Sequence, residues 1–471
     1  MERTVQDVRE NPKIEADVIV IGAGFAGITA AAELKKSGRT VALLEARDRL
    51  GGRSLSHPIG DGKIVELGCE FHGQPNAVSA KTAAALGIGS EKVYDTGYKL
   101  IESGSKLTRW KGSIPRVSPL ALADFGQAAL RIERMRKEVP EEAPWTAPHA
   151  KQWDSETMWS WTRRNIHSRE GRLLMRLLIE AGMAASPTEV SVLHVLNYSN
   201  GTGGFRATTQ VTGGTLENRF AGGSQNVALR IAEAVTAETF VNAHVRRIEH
   251  SDDRVRVSGP GFEATGRRVV VAVPTPLAGH IDYDPSLPER RDQLTQRMTM
   301  GAAIKFLVLY DEPFWRNDGM TGMAISFESP FRAVLDGSPP DGSPGVLTVF
   351  VTGPPAHEIA KLAEPTRREL LLRQLGRYFG PRAEKPYEVI EQNWMAEQFT
   401  RGCYHGYAPP GLYTEFGPAL KEPIGRIHWA GAETVPVEYG SMSGAIYSGR
   451  RVAAEIVGQE SHTSTTTAVI A

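Results

Sequence analysis

The chain of 471 residues is predicted to adopt an α/β fold, a parallel-sheet domain interleaved with a mixed α+β domain. Three observations predict it. Residues 17–45 read as strand, glycine turn, helix and a second strand ending in an acid. Strand-rich blocks recur after residue 218 and after residue 302, beyond a long helical stretch. The length exceeds what one simple core supports, so two domains or more are expected.

Asp17-Val-Ile-Val-Ile21 is a β-branched run of the kind that forms a buried parallel strand. Gly22-Ala-Gly24-Phe-Ala-Gly27 follows, then an Ala-rich helix to about Lys36 and a strand from Thr40 to Leu44. In such a unit Gly22 permits the tight turn, Gly24 lets a pyrophosphate approach the backbone, and Gly27 lets helix and strand pack closely. The helix N-terminus then faces the phosphate charge. Glu45 lies 18 residues beyond Gly27, where an acid can bond ribose hydroxyls. This Rossmann-like unit alone does not separate FAD from NAD. The continuation Glu45-Ala-Arg47-Asp-Arg-Leu-Gly51-Gly52-Arg53 does. It resembles the second signature of the glutathione-reductase-like flavoproteins, in their amine oxidase branch, where the arginine and paired glycines lie along the pyrophosphate and flavin.

Residues 120–195 read as helical, with apolar spacing in LRIERMRK and GRLLMRLLIEAGM. Phe220-Ala-Gly-Gly-Ser-Gln225 opens a further helix, followed by the strand runs TFVNAHVRRIEH, RVRVSG and RRVVVAVP. From Ala302, the runs AIKFLVLY, GVLTVFVTG and YEVIEQNW, with a helix around Arg367–Tyr378, predict a mixed sheet. The expected division is an FAD-binding domain in three pieces (14–90, 218–300 and 395–460) threaded through a substrate domain (91–217 and 301–394). The Ser/Thr-rich tail, 458–471, is predicted to be disordered.

Four further stretches, WDSETMWSW (153–161), GAAIKFLVLYDEPFWR (301–316), NWMAEQFTRGCYHGYAPPG (393–411) and IHWAGAETVPVEYGSMSGAIYSGRRVAAEI (427–456), complete a likeness over about residues 14–457. The chain resembles the flavin monoamine oxidase family, which includes bacterial amine and putrescine oxidases. The resemblance implies FAD as cofactor and a small-molecule amine and O₂ as partners. The amine becomes an imine, then aldehyde or ketone, and O₂ becomes H₂O₂. It also implies that Val245 pairs with the adenine through its backbone.

Lys305 sits inside an apolar strand, where a lysine is costly to bury unless its charge or lone pair has a task. The alternative is a lysine snorkelling from an edge strand. The resemblance implies that Lys305 bonds a water beside flavin N5 and serves reoxidation. It places Trp394 and Tyr404 at flavin-flanking aromatic positions, with Tyr404 one wall of a cage that suits an amine nitrogen. In the covalent branch of the family a cysteine in a Gly-Cys-Tyr context carries the flavin as an 8α-thioether. Gly402-Cys403-Tyr404 reproduces that context, although some relatives hold FAD non-covalently. Glu433 is expected at the ribityl or phosphate portion. The helix from Met442 should point its N-terminus at the flavin edge where reduction places negative charge.

The pattern departs from the mammalian-type enzymes at the pocket. Their second cage tyrosine falls at Ser441, and their pocket-wall residues fall at Ala181, Gly182, Thr209, Leu216 and Ala333. Five of these six positions carry smaller side chains, which predicts a wider cavity and an amine bulkier than benzylamine. Tyr439 or Glu438 could substitute for the missing tyrosine.

Lys plus Arg and Asp plus Glu both number 54, so no basic excess favours nucleic acid or an anionic membrane. Two cysteines, Cys69 and Cys403, exclude a disulfide framework. No metal site is expected. The charged first fifteen residues lack the apolar run of a signal peptide, and no stretch approaches the roughly 20 apolar residues of a membrane span. The reading is a soluble cytoplasmic protein, and a homodimer is compatible with it. Three alternatives stand beside the amine oxidase. An L-amino acid oxidase of the same fold would need a carboxylate-clamping arginine, with Arg206 and Arg332 the candidates. A desaturase would leave Lys305 surplus, and a non-catalytic FAD-binding protein would need none of Lys305, Trp394, Cys403 and Tyr404.

Overall fold

The computed structural model describes residues 5–8, 12–73, 77–205, 207–234, 237–435 and 438–468. A nine-stranded sheet is centred on Lys13–Ile21, which pairs in parallel with Val41–Leu44 and with Phe262–Val271. Glu238–Val241 and Val5–Asp7 extend it on one side, Val255–Gly259, Arg247–His250 and Asp282–Asp284 on the other, and Ile427–Trp429 pairs in parallel with the end of Phe262–Val271. The alternation of side chains explains why the central strand is apolar throughout. Val18 and Val20 enter one core, Ile19 and Ile21 the core on the opposite face.

The helix Phe25–Lys36 is Ala-rich because it is buried on nearly every side. Its small side chains admit the C-terminal helix, Met442–Ala468, so closely that a Cβ on Gly449 would stand 2.5 Å from the Ala26 carbonyl oxygen. Gly27 is equally constrained: a Cβ there would lie 1.8 Å from the Gly22 carbonyl oxygen, while Gly22 itself has φ +98°.

The second large sheet has seven strands in the order Glu388–Asn393, Ala303–Tyr310, Gly345–Thr352, Ala333–Asp336, Met320–Ser326, Tyr98–Ser103 and Lys106–Trp110. It is mixed, since Met320–Ser326 and Tyr98–Ser103 run parallel while the other neighbours are antiparallel. The helix Glu364–Phe379 packs on it. The helical stretch resolves into Pro119–Arg136, Ala150–Asp154, Met158–Asn165, Arg169–Met183 and Val192–Gly201. Ser118, Thr157, Ser168 and Ser191 cap four of these helices by accepting a backbone N–H three residues on.

One expectation is corrected. The run TFVNAHVRRIEH is not one strand: it breaks at Asn242, which has φ +58°, between Glu238–Val241 and Arg247–His250. There the Asn242 and Ala243 amides leave the sheet to bond the Arg47 and Glu45 carbonyls, which brings Val245 to the cofactor side. The last helix is Met442–Ala468, and residues 469–471 of the predicted tail lie outside the described residues. Among the described residues no helix is long and apolar enough to cross a membrane.

Candidate active site

A channel of about 1370 Å³, its open mouth included, crosses the C-terminal ends of the central parallel strands. Glu45 and Val245 lie along one part of it, Gly22, Gly24, Arg47, Gly52 and Arg53 line its floor, and Tyr404, Ser441 and Met442 reach its wall. Glu45 is fixed by the chain it must precede: its carboxylate accepts the Ala23 amide at 2.8 Å and the Arg47 amide at 2.9 Å. A Cβ on Gly24 would meet only Gly52 Cα, at 3.9 Å, so glycine here leaves the floor open for a ligand. Arg47 donates to Thr400 Oγ1 at 2.6 Å, yet its Nε is buried on the channel wall with no hydrogen-bond partner among the described residues. An unsatisfied buried donor beside a glycine floor fits a pyrophosphate, and the residues present fit FAD.

Behind the floor, Arg53 grips Glu433. Nη1 reaches Oε1 at 2.5 Å and Nη2 reaches Oε2 at 3.2 Å, while Nη1 also donates to the Tyr404 carbonyl at 2.9 Å. Glu433 is fully buried and accepts the Gly406 amide at 3.2 Å as well. Burial would raise its carboxyl, but the Arg53 charge and hydrogen bonds outweigh that and hold it below the usual range. Glu433 is therefore engaged in orienting Arg53, one layer behind the residues that line the channel. Met442 opens the last helix as expected, and Ser441 caps it by accepting the Gly444 amide at 3.1 Å.

Cys403 and Trp394 form a buried layer with Ala184 and Ala303, against which Leu55 and Tyr404 pack. The thiol on the channel wall is Cys69, not Cys403. Burial pushes both thiols up. Trp394 donates through Nε1 to the Leu67 carbonyl at 2.9 Å. Lys305 lies on an interior strand, between Gly345–Thr352 and Glu388–Asn393, so it does not snorkel from an edge. Its Nζ sits 2.7 Å from Glu70 Oε2 and 3.2 Å from the Gly68 carbonyl, with the Phe350 ring centroid at 5.3 Å.

The loop Leu67–Glu70 thus joins the two parts of the site, and nothing in the sequence reading singled out Glu70. Its Oε1 lies 3.5 Å from Arg219 Nη1. Glu66, just before the loop, accepts the Ser224 amide and the Ser56 hydroxyl, and burial pushes its carboxyl up to about 7. The signal was present in VELGCEFHG, two acids four residues apart in an otherwise apolar and glycine-rich stretch.

Register places the predicted pocket residues. Lys305 pairs with Phe350, and Phe350 pairs with Ala333, so all three stand in one row on one face of the sheet. The Phe350 ring meets Tyr404 edge-on at 6.4 Å and Phe71 at 6.5 Å. Phe71, Leu216, Met323 and Phe350 form a half-buried apolar patch around Val93, Val211 and Leu335. On the helical side, Ala181 and Gly182 end the helix Arg169–Met183, and Thr209 lies in the turn Ala207–Thr209. The predicted opening does not hold at Gly182, where a Cβ would stand 2.8 Å from Thr208 Cγ2: the turn fills that space. Tyr439 does not replace the missing cage tyrosine, because it is buried with its hydroxyl on the Gly406 carbonyl at 2.6 Å. Glu438 is half-buried at the turn before the last helix, its carboxyl raised by burial. Arg332 is no carboxylate clamp: it is buried, with Nε 3.0 Å from Glu180 and Nη1 on the Phe327 carbonyl. Arg206 lies outside the described residues.

The family model described as flavin containing amine oxidoreductase matches residues 25–457. A Dictyostelium discoideum protein named "Probable flavin-containing monoamine oxidase A" is 34% identical over 443 residues, covering 93% of this chain and 97% of that protein. The solved structure of putrescine oxidase bound to putrescine superposes with a TM-score of 0.91 at 29% identity, over 95% of this chain and all of that one. Cyclohexylamine oxidase from Brevibacterium oxydans gives 0.90 at 29%, over 95% and 99%. With the glycine floor, the arginine wall and the Tyr404 end in place, the chain belongs to the flavin-containing amine oxidoreductase family, and its cofactor is FAD.

Proposed function

We propose that the chain oxidises an apolar amine bulkier than benzylamine, passing the electrons to O₂ and releasing H₂O₂. One observation carries this reading. Tyr404 stands where the FAD channel meets the half-buried apolar patch of Phe71, Leu216, Met323 and Phe350, so an amine on the patch has its nitrogen end at the flavin. FAD supplies the two-electron redox step. Tyr404 presents an aromatic face to the amine nitrogen. The apolar patch excludes water and aligns the substrate α-carbon. The N-terminus of the helix at Met442 offers positive potential where negative charge develops. Lys305 holds a water for the oxygen step rather than acting as base towards the amine.

The patch residues carry no charge, which favours a substrate with one amine and an uncharged remainder. The Arg332–Glu180 pairing weighs against an amino acid carboxylate. An amine panel with peroxide detection tests both points. Alkyl and arylalkyl amines should outperform putrescine and amino acids; peroxide from amino acids alone would overturn the proposal.

A further inference from the structure

The pairing of Lys305 with Glu70 goes beyond a lysine near a flavin. An ammonium has three N–H donors. Here one goes to Glu70 Oε2 at 2.7 Å and one to the Gly68 carbonyl at 3.2 Å. That leaves one donor with no partner among the described residues. Both side chains are buried, with exposures of 4% each, so neither charge can be relaxed by bulk water. The acceptor loop is itself pinned from two sides. Trp394 holds the Leu67 carbonyl, and the Cys69 amide bonds the Arg53 carbonyl at 3.1 Å. Gly68 packs so tightly there that a Cβ would lie 2.2 Å from the Arg53 oxygen. One short loop therefore joins the Arg53 end of the cofactor floor to the Lys305 ammonium.

We infer that Glu70 is a positioning residue for the oxygen half-reaction: it fixes the Lys305 ammonium so that its remaining N–H faces the flavin side. This rests on the role proposed for Lys305. Arg219, on the strand Asn218–Phe220, stands on the far side of Glu70 and keeps that carboxylate from following the lysine. Glu66 is the other acid close to the pair, and it is engaged by Ser56 and Ser224. Among the described residues, Glu70 is thereby the one carboxylate in ion-pair contact with Lys305.

The test uses the FAD-loaded full chain and a double-mutant cycle of Glu70→Gln and Lys305→Met. Stopped-flow mixing with O₂ should show Glu70→Gln slowing reoxidation by about tenfold, while anaerobic reduction by an arylalkylamine changes by less than about twofold. Glu70→Asp, which keeps the charge on a shorter arm, should recover part of the rate. On the Lys305→Met background, Glu70→Gln should have no further effect. A readout without turnover is the reduction potential of the bound flavin by dye equilibration. It should move with Glu70→Gln when Lys305 is present, by about 30 mV for each tenfold change in the equilibrium, and stay put on the Lys305→Met background. Equal shifts on both backgrounds would overturn the inference, as would an unchanged reoxidation rate in Glu70→Gln. If Lys305→Met itself leaves reoxidation unchanged, the role proposed for Lys305 falls instead.

Discussion

Replacing Glu433 by Gln tests whether the cofactor floor is held from behind. The perturbation removes one charge and little volume. Arg53 then keeps a half-buried guanidinium, 18% exposed along its side chain, opposite a neutral amide. Breaking a buried ion pair by removing one partner costs about 3–5 kcal/mol, because the remaining charge has no compensation. Gln retains a carbonyl for one guanidinium N–H and for the Gly406 amide, so the loss should fall at the low end, about 3 kcal/mol. Urea unfolding of the apoprotein measures it without contributions from FAD. The pH dependence provides a second check. The Glu433 carboxyl is held below its ordinary value of 4.5 in the folded protein. A depressed acid contributes stability that is fully present above the unfolded value and is lost as pH falls through the folded one. The curves for wild type and Glu433→Gln should therefore run apart by a constant gap above pH 4.5 and converge below it. A gap smaller than about 1 kcal/mol, the scale of a neutral hydrogen bond, would refute the reasoning, as would one that persists unchanged into acid.

Three further outcomes are expected. Acid precipitation should leave most of the flavin with the wild-type protein and release it from Cys403→Ala; if Cys69→Ala releases it and Cys403→Ala does not, the attachment belongs to the thiol on the channel wall. Glu66 has its carboxyl raised to about 7, so its contribution is full below the unfolded value of 4.5 and is lost as pH rises through 7. Glu66→Gln should abolish that loss between pH 4.5 and about 7, which amounts to about 1.4 kcal/mol per pH unit spanned; parallel unfolding curves for the two proteins would contradict it. Ala333→Phe should lower kcat/KM for long arylalkylamines by about tenfold or more and spare the shortest, because the new ring shares the face of Phe350 and takes the space of several CH₂ groups, each about 0.8 kcal/mol of burial. A uniform loss across the series would place Ala333 away from the substrate.

What could be read from the sequence, and what could not, divides by the range of the contact. The turn from Ile21 to Gly27 was legible because its glycines answer local demands, a φ of +98° at Gly22 and a carbonyl 1.8 Å from any Cβ on Gly27. The strand around Lys305 was legible from its unbroken apolar run, but its interior position came from its two sheet neighbours, and register then placed Ala333 in the same row two strands away. The break at Asn242 was hidden because the run TFVNAHV satisfies strand propensity. Only the approach of the Glu45–Arg47 segment, whose carbonyls take up the freed amides, makes leaving the sheet favourable there. The same holds more strongly for the acid loop. Glu70 meets Lys305 across 235 residues of sequence, and Leu67 meets Trp394 across 327. No period or spacing encodes such a meeting. Yet a carboxylate within an apolar, glycine-rich stretch carries a physical demand of its own: if buried, it must find a cation or give up its charge. In this chain both answers occur four residues apart, with Glu70 paired to Lys305 and Glu66 raised to about 7. The two acids sit at either end of a loop that touches both the Arg53 end of the cofactor floor and the lysine.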